Sequence, residues 1–144
     1  MTELDALQTT LGAEHAAVYV YGVLGARTSA SGAPELYAAL REAYEEHRAR
    51  RDELVNEIAT AGKTPVGAAT AYDVAEDLGS VAAVTRAALD LERACADTYA
   101  WQVANTTGRR RRSGIDLLTD AAVRGLGFRG TPEIFPGADE HADR

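Results

Sequence analysis

A single cysteine, Cys95, in a chain of 144 residues excludes an internal disulfide and any thiolate cluster of the zinc-ribbon or iron–sulfur kind, and it suits a reducing, cytoplasmic setting. No apolar run approaches the roughly 20 residues that a membrane-spanning helix needs. The opening residues, Met1-Thr2-Glu3-Leu4-Asp5, lack the basic start of a secretory signal. Proline is scarce as well: there are four, at Pro34, Pro65, Pro132 and Pro136. Because a proline inside a helix costs about 3 kcal/mol, the stretches between these positions are free to form long helices. Alternating β-branched residues, the mark of a half-buried strand, are missing, and no internal repeat is visible. Lys63 is the only lysine among the 15 basic residues, a compositional bias from which no function is read.

What the sequence does contain is alanine, leucine, glutamate and arginine, the residues that lose least on entering a helix. Against the 15 basic residues stand 22 acids, for a net charge of −7, and 46% of the chain is hydrophobic. This describes one acidic α-helical domain and leaves no room for two cores.

Apolar periodicity divides the chain into four helices. Leu4, Leu7, Leu11, Glu14, Val18, Tyr21 and Gly25 alternate by three and four, a seam that Thr2 can cap and that frays at Ser29-Ala30-Ser31-Gly32. Pro34 in a first turn opens a second helix with Leu36, Leu40, Ala43, His47, Arg51, Leu54 and Ile58 inward, ending at Gly62. A third runs from the cap Ser80 to Thr107 with Val81, Val84, Ala88, Leu91 or Glu92, Cys95, Tyr99 and Gln102 inward. A shorter fourth follows Ser113-Gly114 and carries Ile115, Leu118 and Gly125, while residues 130–144 read as a tail on a bundle spanning 1–129. The connector from Lys63 to Gly79 is too long for a turn between antiparallel neighbours, and its residues, at about 3.3 Å each, can run back along a whole helix. A long crossover between helices two and three is the connectivity of ferritin-like bundles.

Counting outward from the first turn puts Glu14 and His47 at one height, with Glu92 and Asp120 near the middles of their own helices. A two-metal carboxylate centre asks for two lone glutamates and two Glu-x-x-His pairs. Glu14, Glu92 and His47 answer part of that demand, but Tyr44 stands where the acid before His47 belongs, and Val123 where the second histidine belongs. The set is short by a carboxylate and a histidine, which favours no metal over a single divalent iron or manganese held by Glu14, His47, Glu92 and Asp120. The first expectation is a buried polar network with Arg51 as counter-charge. The catalytic alternative is an acid–base pocket of Glu14, His47 and Glu92, with Arg51, Tyr44 and Tyr99 facing a small apolar substrate.

Arg109 to Arg112 form a basic cluster without interleaved aromatics in an acidic chain, expected as a solvated turn and not as a nucleic-acid site. The tyrosines and Trp101 are expected to pack at the core margin, and His141 belongs to the polar tail.

The segments Leu11-Gly-Ala-Glu14-His15-Ala-Ala-Val-Tyr19, His47-Arg-Ala-Arg-Arg51-Asp-Glu-Leu54, Leu91-Glu92-Arg-Ala-Cys95, Ala121-Ala-Val-Arg124, Phe128-Arg-Gly130 and Phe135-Pro-Gly137 together resemble the small actinobacterial ferritin-like family catalogued as a domain of unknown function. The resemblance implies a ferritin-like bundle, cytoplasmic and dimeric, with the Phe135-Pro136-Gly137 tail folded back onto it; it implies no reaction. The resulting expectation is an all-α, ferritin-like four-helix bundle that acts by forming a homodimer or by binding a small molecule, away from membranes. The alternative is a metal-dependent oxidoreductase or a metal-free acid–base enzyme.

Overall fold

The computed structural model describes residues 1–129 and 134–137. Four helices follow in order: α1 Glu3–Ala26, α2 Pro34–Thr60, α3 Val81–Asn105 and α4 Gly108–Arg129. Sequence chemistry accounts for their starts. Thr2 caps α1 in a reciprocal capping box with Asp5, Pro34 occupies the first turn of α2, and the Ser80 side chain accepts from the Ala83 N–H at the head of α3. The α3–α4 link is shorter than the sequence suggests. Gly108 opens α4, with a positive φ of 54° that a side chain would resist, so Arg109 to Arg112 lie inside the helix and not in a turn. Arginine is a good helix former, and Arg110 is pinned there by Glu57 at 2.9 Å and Glu3 at 3.1 Å.

Those ion pairs also give the helix directions. The start of α1, the end of α2 and the start of α4 meet at one end of the bundle, so α1 and α4 run one way and α2 and α3 the other. Two parallel helices joined in sequence require a connection as long as the bundle, and residues 61–80 supply it. The Gln8 side chain donates to the Thr64 carbonyl at 2.7 Å and accepts from the Val66 N–H at 2.8 Å. His15 Nε2 bonds the Val66 carbonyl at 2.9 Å, Tyr72 packs on Tyr19, and Leu78 enters the core. The crossover therefore climbs the outside of α1.

Packing is uneven around the bundle. Helix α1 packs on α2 and α3, and α3 on α4, whereas α2 and α4 do not interlock. One apolar cluster, including Leu24, Leu40 and Val84, fills one end, and Leu7, Leu11, Leu54 and Ile58 fill the other. Of the C-terminal tail, Gly137 lies against α3 and α4. A Cβ there would stand 2.7 Å from the Ala96 carbonyl oxygen and 2.9 Å from Ala100 Cβ, and φ is 77°. His141 falls outside the described residues. No helix among the described residues is long and apolar enough to cross a membrane.

Candidate functional site

The apolar clusters are separated by a polar layer at mid-height. Glu14, on the inward face of α1, and His47, on that of α2, meet at the same level: His47 Nδ1 lies 2.6 Å from Glu14 Oε2 and both side chains are fully buried. From the opposite side, Glu92 of α3 places Oε1 3.2 Å from His47 Nε2. Each carboxylate is also capped by a phenol. The Tyr21 hydroxyl donates to Glu92 Oε1 at 2.5 Å, and the Tyr99 hydroxyl donates to Glu14 Oε1. The Tyr21 ring further stacks on the His47 imidazole with centroids 5.4 Å apart. The result is a continuous buried chain, Tyr21–Glu92–His47–Glu14–Tyr99.

Two arginines close the layer toward α4. Arg124, 14% exposed, lies 3.5 Å from Glu92 Oε1 and donates to Glu46. Arg50 donates to Asp120 at 2.7 Å and feels the charge of Glu14. Arg51 is not the counter-charge. Its guanidinium lies outside the core on Asp52, at 2.8 Å, because the buried stripe of α2 advances by three residues from His47 to Arg50 and not by four. Asp120 reaches the expected height but faces outward, 58% exposed, and serves Arg50. Tyr44 is half-buried against the upper apolar cluster, away from the charged chain, whereas Tyr99 belongs to it.

Charge and burial pull in opposite directions on the titratable groups of the layer. Burial alone would lower the His47 pKa, but the bonds and charges of Glu14 and Glu92 outweigh it and hold the imidazole above its ordinary 6.5. Burial would raise the Glu92 pKa, yet His47 and Arg124 keep it below the ordinary 4.5. Tyr21 and Tyr99 are pushed far up, by burial first and then by neighbouring groups that include Glu92 for the one and Cys95 and Glu14 for the other, so both are neutral donors. The Cys95 thiol is likewise pushed well up by its burial and by the same two carboxylates. The layer sets the His47 ring between the carboxyl groups of Glu14 and Glu92, with Arg124 3.5 Å from Glu92 and Arg50 within the field of Glu14.

This arrangement does not fit a metal ion. Glu14 and Glu92 approach opposite nitrogens of one ring instead of converging on a shared point, Asp120 is turned outward, and two guanidiniums already supply positive charge. Among the described residues no group of three or more His, Cys, Asp or Glu side chains is placed to hold a metal.

The layer is also built in two crossed halves, a repeat that the amino-acid pattern alone does not disclose. Glu14 stands twelve residues after the cap Thr2, as Glu92 does after the cap Ser80, and a tyrosine follows each glutamate two turns later. Glu46 stands twelve residues after Pro34, as Asp120 does after Gly108, and an arginine follows each acid one turn later. Four bonds cross between the halves, Tyr21 to Glu92, Tyr99 to Glu14, Arg50 to Asp120 and Arg124 to Glu46, while the His47–Glu14 bond stays within the first. Only His47 has no counterpart, the equivalent position being Ala121. Buried positions recur at the same offset, Ala6 with Val84 and Ala17 with Cys95, while the loop lengths differ between the halves. Tyr21, Arg50 and Arg124 are the members that a search for ligand-type residues passes over, and the equal Glu-to-Tyr and acid-to-Arg intervals were the available signal.

Outside the layer, α2 and α4 leave a groove of about 920 Å³ between them. Arg50 and Arg124 form part of its wall, with Leu36, Leu117, Val123 and Phe128 supplying apolar surface. The sequence pattern of the family described as Domain of unknown function (DUF4439) matches residues 6–140. A crystal structure of a conserved hypothetical protein, rv2844, from Mycobacterium tuberculosis superposes with a TM-score of 0.79 at 28% identity, covering 88% of this chain and 93% of that one. A search of curated proteins returns no match.

Proposed function

The chain belongs to this family of unknown function, and on that premise we propose that it is a small-molecule-binding module whose site is the groove between α2 and α4. The observation that carries the reading is that α2 and α4 stand apart, bridged by Arg50–Asp120 and Arg124–Glu46, and leave between them a groove with the ionic layer behind it. A cleft of several hundred Å³ with mixed apolar and polar lining is the usual form of an organic-ligand site. The acid–base alternative finds less support, because His47, Glu14 and Glu92 are sealed from solvent and a substrate would have to part Arg50 from Asp120 or Arg124 from Glu46 to reach them. A cytoplasmic location fits the single buried thiol.

The test is fluorescence of a neutral apolar probe, Nile red, with the wild-type chain and with Ala49→Trp, which places an indole in the groove. At least a fivefold loss of the bound signal is expected in the variant. Equal signals from both proteins would refute the assignment. A homodimer is the second reading, favoured by the exposed Ile115, Leu126, Ile134 and Phe135 on α4 and the segment after it; light scattering at tens of micromolar is expected to give twice the chain mass, and a single-chain mass would end it.

A further inference from the structure

The two arginines on the groove wall hydrogen-bond their carboxylates through one nitrogen each. Arg50 Nη2 donates to Asp120 at 2.7 Å and lies 3.5 Å from Glu46 Oε2, and Arg124 Nη2 donates to that same Glu46 oxygen. The guanidiniums therefore stand side by side where α2 and α4 face each other. The other terminal nitrogen of each is left over: Arg50 Nη1 and Arg124 Nη1 are buried and have no hydrogen-bond partner, although the latter lies 3.5 Å from Glu92 Oε1. Arg50 is only 9% exposed, and a buried N–H without an acceptor keeps the full cost of its desolvation. The idle donor also recurs at equivalent places in the two halves, on the arginine one turn after Glu46 and on the arginine one turn after Asp120. Both residues line the groove beside the apolar surface of Leu117, Val123 and Phe128.

Resting on the groove reading, we infer that the ligand is a neutral, largely apolar molecule with a carbonyl oxygen that accepts from Arg50 Nη1 and Arg124 Nη1, its skeleton lying on Leu117, Val123 and Phe128. Charge decides the class. Each guanidinium already has its carboxylate, Asp120 or Glu46, and Glu14 and Glu92 lie behind them. Glu35, Glu42, Glu53 and Asp116 line the groove as well, so an added anion would be repelled from nearly every side. A cation would meet two N–H donors at mid-groove and leave them idle. A carbonyl oxygen brings two lone pairs, no hydrogen and no net charge, so one atom satisfies both donors, and a charged donor makes the stronger kind of hydrogen bond. Neither Nη1 is open to water while Glu46 sits between the guanidiniums; Glu46, 42% exposed, is the side chain that swings outward to admit the oxygen.

The test is displacement of Nile red by 9-fluorenone, by fluorene, which has the same three-ring skeleton without the oxygen, and by fluorene-9-carboxylate. Fluorenone is expected to bind about tenfold more tightly than fluorene or better, the worth of one charge-assisted hydrogen bond, and the carboxylate more weakly than fluorenone. Arg124→Lys keeps the charge but not the planar fork and is expected to erase most of fluorenone's advantage, with circular dichroism melting to show that it folds. The infrared carbonyl band of fluorenone on the wild-type protein needs no variant: it is expected at lower frequency than in acetonitrile, which is polar but donates no hydrogen bond. Equal affinity of fluorenone and fluorene, tightest binding by the carboxylate, an advantage that survives in folded Arg124→Lys, or a carbonyl band no lower than in acetonitrile would overturn the inference. If Nile red is bound and excluded by Ala49→Trp while fluorenone gains nothing over fluorene, the groove reading stands and the carbonyl falls; if Nile red is not bound there, both fall.

Discussion

His47 has a carboxylate on each ring nitrogen, and that decides how the protein responds to pH. Its pKa is raised on folding, so the stability it contributes is complete below its unfolded value of about 6.5 and is lost as pH climbs through the folded value. Glu92 works in the opposite sense: its pKa is lowered, its contribution is complete above about 4.5, and it is lost as pH falls through the folded value. Urea midpoints are therefore expected to be highest between about pH 4.5 and 6.5 and to fall on both sides. His47→Leu is expected to flatten the alkaline fall, and a midpoint that still declines from neutral pH upward in that variant would refute the assignment. The same substitution leaves the buried carboxyl groups of Glu14 and Glu92 without the ring that bonds both. At neutral pH a loss of about 3 to 5 kcal/mol in urea denaturation is expected, as for breaking a buried ion pair from one side; a loss under 1 kcal/mol would show that Glu14 and Glu92 do not depend on it. That Glu14 and His47 share a level was legible in the sequence, because two helices joined by one short turn keep equal heights at equal distances from it. Which arginine answers them was not: Arg50 and Arg51 are adjacent, and only the local advance of the buried stripe decides between them.

At the scale of elements, the crossover and the α2–α4 seam are held by side chains and not by a continuous core. Gln8 alone makes two bonds to the crossover backbone, at Thr64 and Val66. Gln8→Ala is expected to speed amide exchange of Val66 and proteolysis around residues 64–72 by several-fold while changing global stability by about 1 kcal/mol or less; unchanged exchange there would mean that His15 and Tyr72 suffice. The tail depends on a glycine. At Gly137 the positive φ and the nearby Ala96 carbonyl leave no room for a side chain, so Gly137→Ala is expected to free this segment, seen as faster exchange of its amides with the bundle's melting little altered. Helix positions and the long connector followed from proline placement and apolar period. The start of α4 did not, because Gly108 reads equally as a stop for the helix before it and as the bend that opens the helix after it.

Over the whole molecule, the two crossed halves explain why a buried ionic layer persists between apolar ends. Each acid has a donor from the other half, so removing one partner strands another charge, and the seam between α2 and α4 is joined by arginine bridges in place of a packed core. An open groove on that face is the consequence, and its occupation by a small molecule is the central claim. Four apolar seams were readable from one chain, but which pair of helices fails to interlock depends on side chains from separate elements meeting in space. The most direct measurement is a map of amide shifts in the ¹⁵N-labelled protein on adding Nile red. The account predicts that the largest changes fall on both walls of the groove, at Ala49, Glu53, Leu117, Val123 and Phe128, with His47 responding through Arg50 and Arg124. Changes centred instead on the Tyr37 and Tyr44 face of α1 and α2, or spread evenly over the surface, would contradict it.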